Sequence, residues 1–225
     1  MKHKIGKSSM RLWLSFVLAA AAAFGQSALE SDPKGWRDLL PDATFKGWTR
    51  VPIPPTATLT PESHWSVGTA QRLIICDGDK TGHEWLRYNR PFADFLLHVE
   101  FHFTPVQTEK PRYNSGVFVR NDKEGKIWYQ AQVGSANGGY IFGDNPVGGE
   151  LKRFNLAKQM TEQRVKPAGE WNTYELRCEG KKISLWVNGA ITSEFNECEN
   201  LKGYLGLEAE GYRIEFRNVK MKKLK

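Results

Sequence analysis

The stretch FLLHVEFHF, Phe95 to Phe103, alternates large apolar side chains with other, mostly ionisable ones, without a break. Phe95, Leu97, Val99, Phe101 and Phe103 fall on one side of an extended chain; Leu96, His98, Glu100 and His102 fall on the other. A helix, with its period of 3.6, would scatter these residues around its axis, whereas a strand with one buried face sorts them cleanly. The same period of two runs through Arg72–Asp77, Phe92–Phe103, Ser115–Asn121, Trp128–Gly134, Thr173–Gly180, KISLWVNG, AITSEF, Gly203–Gly211 and Tyr212–Met221. Asn188-Gly189 is a strong two-residue hairpin signal between two of these segments. Only Phe154–Glu162 suits a helix, and a short one. There is no alternation of strands with helices, no Gly-rich phosphate loop and no internal repeat. About nine or ten strands separated by Gly, Pro and Asn turns predict an all-β, antiparallel two-sheet sandwich or jelly roll. Two stretches lack periodicity, the Pro-rich Val51–Trp65 and the Gly-rich Ser135–Phe154. Both are expected to be long loops, functional or disordered. Tyr140 and Phe142 imply that the second one packs over something.

The first 25 residues follow a different logic. Lys2, Lys4, Lys7 and Arg11 precede an apolar run from Leu12 to Phe24, and Ala23-Phe24-Gly25 offers small residues for cleavage. This pattern predicts a secretory signal peptide and a secreted or periplasmic protein, with residues 26–38 a lead-in and 39–225 one domain. Removing it matters for charge. The whole chain has 32 Lys+Arg against 25 Asp+Glu, but residues 1–25 hold four of the basic residues and no acidic ones. The remainder is close to neutral, which gives no support for a nucleic-acid partner or, once the signal is gone, a membrane-inserted state. Of the three cysteines, Cys76, Cys178 and Cys198, the second sits at an inward strand position and is expected to be a buried thiol. None has zinc-ligand spacing.

In a sandwich each sheet buries one face and wets the other. His98, Glu100 and His102 are therefore expected on an outer face. Gln130 and Gln132 share a side of their strand, as do Gly116, Phe118 and Arg120, and likewise Gly206, Glu208 and Glu210. Were these strands neighbours, one surface would collect Glu100, Arg120, Gln130, Gln132, Glu208 and Glu210, with His98 nearby. Amides, carboxylates and an Arg grouped with aromatic rings suit a polyhydroxylated ligand, whose hydroxyls need donors and acceptors and whose C–H face stacks on a ring.

The segments IICDGD, ADFLLHVEF, YNSGVFVR, WYQAQV, GGYIFG, KPAGEWNTYELRC, LWVNG, GYLGL and IEFRNVKMKKL, in that order, resemble the 3-keto-disaccharide hydrolase (DUF1080) family of concanavalin A-like jelly rolls. The likeness spans nearly all of Leu39–Leu224. Two departures stand out. Many members resemble GYEVQ where this chain has Trp128-Tyr129-Gln130-Ala131-Gln132, and GLQDHG where it has Gly206-Leu207-Glu208-Ala209-Glu210-Gly211. A common Glu is thus Gln130, and an Asp-His pair is absent, with Glu210 the nearest carboxylate.

The resemblance implies glycosides already oxidised at C3, where the ketone acidifies C2–H and the glycosidic oxygen leaves by elimination, water then adding back. Such chemistry needs a base, an enolate stabiliser and an acid. The resemblance assigns Glu100 or Glu208 as base, Arg120 or a divalent cation as stabiliser, and His98 or Glu210 as acid. Asn114, Gln130, Gln132 and Tyr140 would bind substrate. A cation held through Glu100, Glu208 or His98 is compatible with ligand chemistry. A plain two-carboxylate glycosidase and a non-catalytic, lectin-like carbohydrate-binding module are the alternatives. Glu100 stands out because it matches a recurrent acidic position of the family, whereas His102 is expected to be surface.

Overall fold

The computed structural model describes residues 25–78 and 82–224; the signal-like segment up to residue 24 lies outside the described residues. After the one-turn helix α1 (Ala28–Ser31) the described chain is built of strands. These are β1 (Arg37–Asp38), β2 (Trp48–Pro52), β3 (Trp65–Gly68), β4 (Leu73–Asp77), β5 (Glu84–Tyr88), β6 (Phe95–Phe103), β7 (Ser115–Asn121) and β8 (Trp128–Val133). They continue with β9 (Gly138–Val147), β10 (Glu150–Asn155), β11 (Asn172–Glu179), β12 (Lys182–Val187), β13 (Ala190–Phe195), β14 (Tyr204–Ala209) and β15 (Arg213–Lys223). Two antiparallel sheets result. The back sheet runs β13-β12-β11-β6-β15-β4-β3, with β1 paired to β15, and the front sheet runs β10-β9-β8-β7-β14-β5-β2. The all-β sandwich expected from periodicity is the observed architecture. Among the described residues no helix is long and apolar enough to cross a membrane.

The core lies between the sheets, and the alternation of β6 explains why. Phe95, Leu97, Val99, Phe101 and Phe103 are all buried to 1 % exposure or less, against Tyr129, Val133 and Tyr174 among others. Burying an aromatic or branched side chain of this size contributes about 2 kcal/mol each, which fixes the register of the strand. Cys76, Cys178 and Cys198 are buried free thiols.

Two expectations change. Ser135–Phe154 is not a loop: Gly138–Val147 and Glu150–Asn155 form a hairpin that widens the front sheet. Its turn is Gly148-Gly149, with φ of +62° and +86°, the left-handed geometry that two-residue hairpins require. The helix expected at Phe154–Glu162 is reduced to a 3₁₀ turn at Ala157–Gln159. Phe154 instead stays in β10 and stacks on Phe195, ring centroids 3.9 Å apart, an apolar contact that helical geometry would forfeit. The lead-in is also tied down: β1 pairs with β15, and the backbone N–H groups of Ala28 and Leu29 donate to Glu175 at 2.6 and 3.1 Å.

Candidate active site

The topology divides the residues expected to act together. Glu100 and His98 lie on β6, in the back sheet, whereas Gln130, Gln132 and Glu208 lie on β8 and β14, in the front sheet. The outer faces of the two sheets point away from each other across a core about 10 Å thick. Glu100 and His98 are thus not in the same site as the front-sheet residues. Both are saturated with local partners. Glu100 accepts from Arg217 Nε and Asn218 Nδ2, each at 2.6 Å, and lies 3.4 Å from His98 Nε2. Burial alone would raise its pKa, but the hydrogen bonds from His98, Asn218 and Arg217 and the Arg217 charge hold it at about 2. His98 Nδ1 lies 2.8 Å from Glu175, the carboxylate that anchors α1. Burial opposes the imidazolium, but the two flanking carboxylates outweigh it and raise the His98 pKa. His102 lies 3.1 Å from Glu215 and against the Trp171 ring on the same outer face.

Arg120 is a second correction. Regular alternation would place it outside with Phe118. Instead β7 carries an extra residue: Asn121 pairs with Tyr204 and Phe118 with Gly206, so three steps on β7 oppose two on β14. Arg120 takes φ of +54° and turns into the interior. There it is fully buried, donating to the carbonyls of Ala93 and Gly180 and pairing with Asp94 at 2.8 Å. It is a structural cation with no access to ligand.

The remaining candidates converge. A cleft of about 800 Å³ opens on the outer face of the front sheet, and Asn114, Gln130, Gln132, Tyr140, Glu208 and Glu210 all line it. It also holds His83, a residue absent from the sequence-based set. His83 precedes β5, in which Trp85 shares its outward parity, so the signal is the alternation His83, Trp85, Arg87 against Leu86 and Tyr88. The aromatic residues Trp85, Phe118, Trp128 and Phe142 were likewise unassigned and line the same cleft.

At the polar end the side chains form two relays. Gln130 Nε2 donates to Glu208 Oε2 at 2.7 Å, and Glu208 Oε1 lies 2.7 Å from His83 Nε2. In the second, Gln132 Nε2 donates to Asn114 Oδ1 and Asn114 Nδ2 to Glu210 Oε2, both at 2.5 Å. His83 Nε2 is 3.6 Å from Glu210, which joins them. Gly116 is required for the first. A Cβ there would stand 2.1 Å from Gln130 Nε2, so only glycine lets the Gln130 side chain cross β7 to reach Glu208. Gly206 plays the same part for Trp85, whose ring a Cβ would meet at 2.4 Å.

Burial raises the Glu208 pKa, opposed by its hydrogen bond to His83 and the His83 charge. For His83 burial acts to lower the pKa, but the bond to Glu208 and the charges of Glu208 and Glu210 carry it above its ordinary value. Glu208 is 4 % exposed at its side chain, with both oxygens engaged, whereas His83 and Glu210 are 37 % and 40 % exposed. Nε2 of His83 faces the carboxylate, and Nδ1 carries no hydrogen bond to a described residue. The exposed groups are therefore the ones able to touch a ligand, and Glu208 orients one of them.

One imidazole nitrogen and two carboxylate oxygens, all within 4.8 Å of one another, could also hold a divalent cation through His83, Glu208 and Glu210. A nitrogen with two carboxylates suits a first-row transition ion more than calcium. Glu100 and His98, committed elsewhere, take no part in such a set.

Solved structures share the architecture. A candidate glycosyl hydrolase from Parabacteroides distasonis ATCC 8503 superposes with a TM-score of 0.59 at 17 % identity, over 89 % of this chain and 99 % of that one. The carbohydrate-binding module CBM66 of Bacillus subtilis gives 0.57 at 15 %, over 79 % and 96 %. LamAcat of Zobellia galactanivorans gives 0.53 at 11 %, over 78 % and 90 %. At these identities the likeness is one of fold. No curated protein matches the sequence. Residues 35–222 match the family described as the 3-keto-alpha-glucoside-1,2-lyase-like domain, and the chain belongs to that family.

Proposed function

We propose that the protein cleaves glycosides whose sugar already carries a ketone at C3. The observation that supports this best is the pairing, in one cleft, of an exposed imidazole oriented by a buried carboxylate with a second, exposed carboxylate. With Nε2–H directed to Glu208, Nδ1 of His83 is the free lone pair, and it takes the C2 proton. Electrons from C2–H form the C1–C2 double bond, the C1–O bond breaks, and the departing oxygen takes up the proton that His83 has accepted, passed on through Glu210 beside it. Water then adds at C1. The amides of Gln132 and Asn114 hold Glu210 and offer bonds to sugar hydroxyls, while Tyr140 gives the sugar a ring to lie on. A divalent cation on His83, Glu208 and Glu210 would occupy the lone pairs these roles need, so it would supply polarisation of the C3 carbonyl in place of this acid–base pair and not beside it.

A two-carboxylate glycosidase fits less well. Both oxygens of Glu208 are occupied, by His83 and Gln130, and its side chain has almost no exposure, so it has no free face for nucleophilic attack. Residues 1–25 further lead us to place the protein outside the cytoplasm; N-terminal sequencing of exported protein is expected to begin at Gln26.

The deciding assay incubates the purified protein with a 3-keto glucoside and with its unoxidised parent, each with and without chelator. Aglycone release from the keto form alone, reduced at least a hundredfold in His83→Asn, is the expected result. Equal cleavage of the parent would favour the plain glycosidase. Binding of both sugars with turnover of neither would make the cleft that of a lectin-like module.

A further inference from the structure

The cleft has a second end that the chemistry above does not use. Trp85, Phe118, Trp128 and Phe142 run across β5, β7, β8 and β9 as a continuous edge-to-face row, with centroid separations of 5.4, 6.3 and 5.0 Å. Trp85 and Phe118 are buried and form the floor, while Trp128 and Phe142 are half-buried and stand above it. Pro54 and Leu151, the latter 52 % exposed on the β9–β10 hairpin, extend the apolar lining.

Apart from the Lys126 ammonium and the Asn121 amide nitrogen, the polar groups at this end of the described cleft are already committed. The Trp128 indole N–H donates to Asp144 at 2.9 Å, Asp144 pairs with Arg153, and the Arg153 guanidinium lies over the same indole, 4.9 Å from its centroid. Asn121 Oδ1 accepts the Tyr129 backbone N–H. A second sugar placed here would surrender the water on its hydroxyls and find few partners in exchange. A flat apolar group would meet ring edges and faces instead.

We propose that this end is an aglycone subsite selective for aromatic leaving groups, so that the substrates are aryl 3-keto-glycosides in preference to 3-keto-disaccharides. The inference rests on the reading of 3-keto-glycoside cleavage for its turnover arm, though not for its binding arm. The leaving-group chemistry agrees. A phenolic oxygen departs as a stabilised anion and asks less of an acid than a sugar alkoxide does, and among the described residues Glu210 is the exposed carboxylate beside His83.

Two measurements on the full-length processed protein test it. In the first, kcat/KM is compared for the 3-keto forms of phenyl glucoside, methyl glucoside and a glucose disaccharide. Phenyl is expected to exceed the disaccharide at least tenfold, and Trp128→Ala to lower the phenyl-to-methyl ratio at least tenfold. Leu151→Asp, at an exposed rim position where folding is not at stake, is expected to lower that ratio as well. In the second, calorimetry on the unoxidised phenyl glucoside, methyl glucoside and disaccharide reads the subsite without turnover, and phenyl is expected to bind at least tenfold tighter than either. A disaccharide that is cleaved or bound as well as the phenyl glucoside overturns the proposal while leaving the cleavage chemistry intact. Loss of turnover on every keto substrate, with phenyl-selective binding retained, would instead sink the cleavage chemistry and leave the subsite standing.

Discussion

Replacing Glu100 by Gln is expected to weaken the fold and leave turnover alone, the reverse of what its place in the FLLHVEFHF strand suggests. Its carboxylate is held at about 2 against an ordinary 4.5, chiefly because three donors outdo the penalty of burial. A depression of that size, at 1.36 kcal/mol per unit, corresponds to about 3 kcal/mol of pH-dependent stability. Arg217 is 41 % exposed, so solvent screens part of its share, and about 2 kcal/mol is a fairer expectation. The sign follows from the direction of the shift. A depressed carboxylate stabilises fully above its unfolded pKa of 4.5, and that contribution fades as pH falls through 4.5 toward 2. Wild-type and Glu100→Gln proteins should therefore differ by roughly 4–8 °C in Tm at pH 6, taking 2–4 °C per kcal/mol for a domain of this size. At pH 2.5 the gap should close to within a degree or two. His98 supports the choice of pH 6 as the upper point. Its raised pKa means its own stabilising contribution is present below about 6.5 and lost at higher pH, where it would confuse the comparison. A gap that is the same at pH 6 and pH 2.5 would refute the ion-pair reasoning, and a hundredfold fall in kcat/KM without loss of Tm would return Glu100 to the active site.

Two further outcomes concern the cleft. If His83 is the base, kcat/KM falls on the acid side as the imidazole protonates, with a limb above the ordinary histidine value because Glu208 and Glu210 favour the imidazolium. Glu208→Gln removes one of those charges, so the limb should move to lower pH; an unmoved limb would mean that Glu208 does not orient the working group. In Gly116→Ala the new Cβ would stand 2.1 Å from Gln130 Nε2, so the amide must release Glu208. A kcat loss of at least tenfold is expected with a smaller change in KM, and a loss of stability on the order of 1–3 kcal/mol by overpacking, read as a lowered Tm.

Period-two patterning made the sheets legible, because burial on one face is a one-dimensional signal. Phe95 to Phe103 and Thr173 to Glu179 are strands for the reason their sequences announce. Strands were hidden where that signal is diluted. Gly138–Val147 carries three glycines and a proline, so its alternation of Ile141 inward with Tyr140 and Phe142 outward looks like a loop. Which sheet a strand joins depends on long-range pairing that no local pattern encodes. That is why Glu100 could be placed correctly on an outer face and still be assigned to the wrong side of the molecule. Arg120 was missed for a different reason: a single extra residue inverts parity from that point on, and nothing in SGVFVRN marks it.

The same pairing changes the meaning of the two departures from the family-like patterns. Gln130 stands where GYEVQ has Glu, and Glu208 stands where GLQDHG has Gln. Read along the chain, the first is the loss of an acid. Across the sheet, the two positions lie on β8 and β14 with β7 between them, and their side chains meet at 2.7 Å over Gly116. Against those patterns the amide and carboxylate letters are interchanged, and in this chain the pair keeps one buried carboxylate hydrogen-bonded to one amide in the cleft. The imidazole follows the same logic. Glu210 occupies the position of the pattern's His, and His83, from the start of β5, brings its ring to within 3.6 Å of it. An absent motif letter therefore does not argue for a cleft that only binds. The groups are present, supplied from neighbouring strands, and the count that matters is of side chains around the cleft and not of letters along one segment.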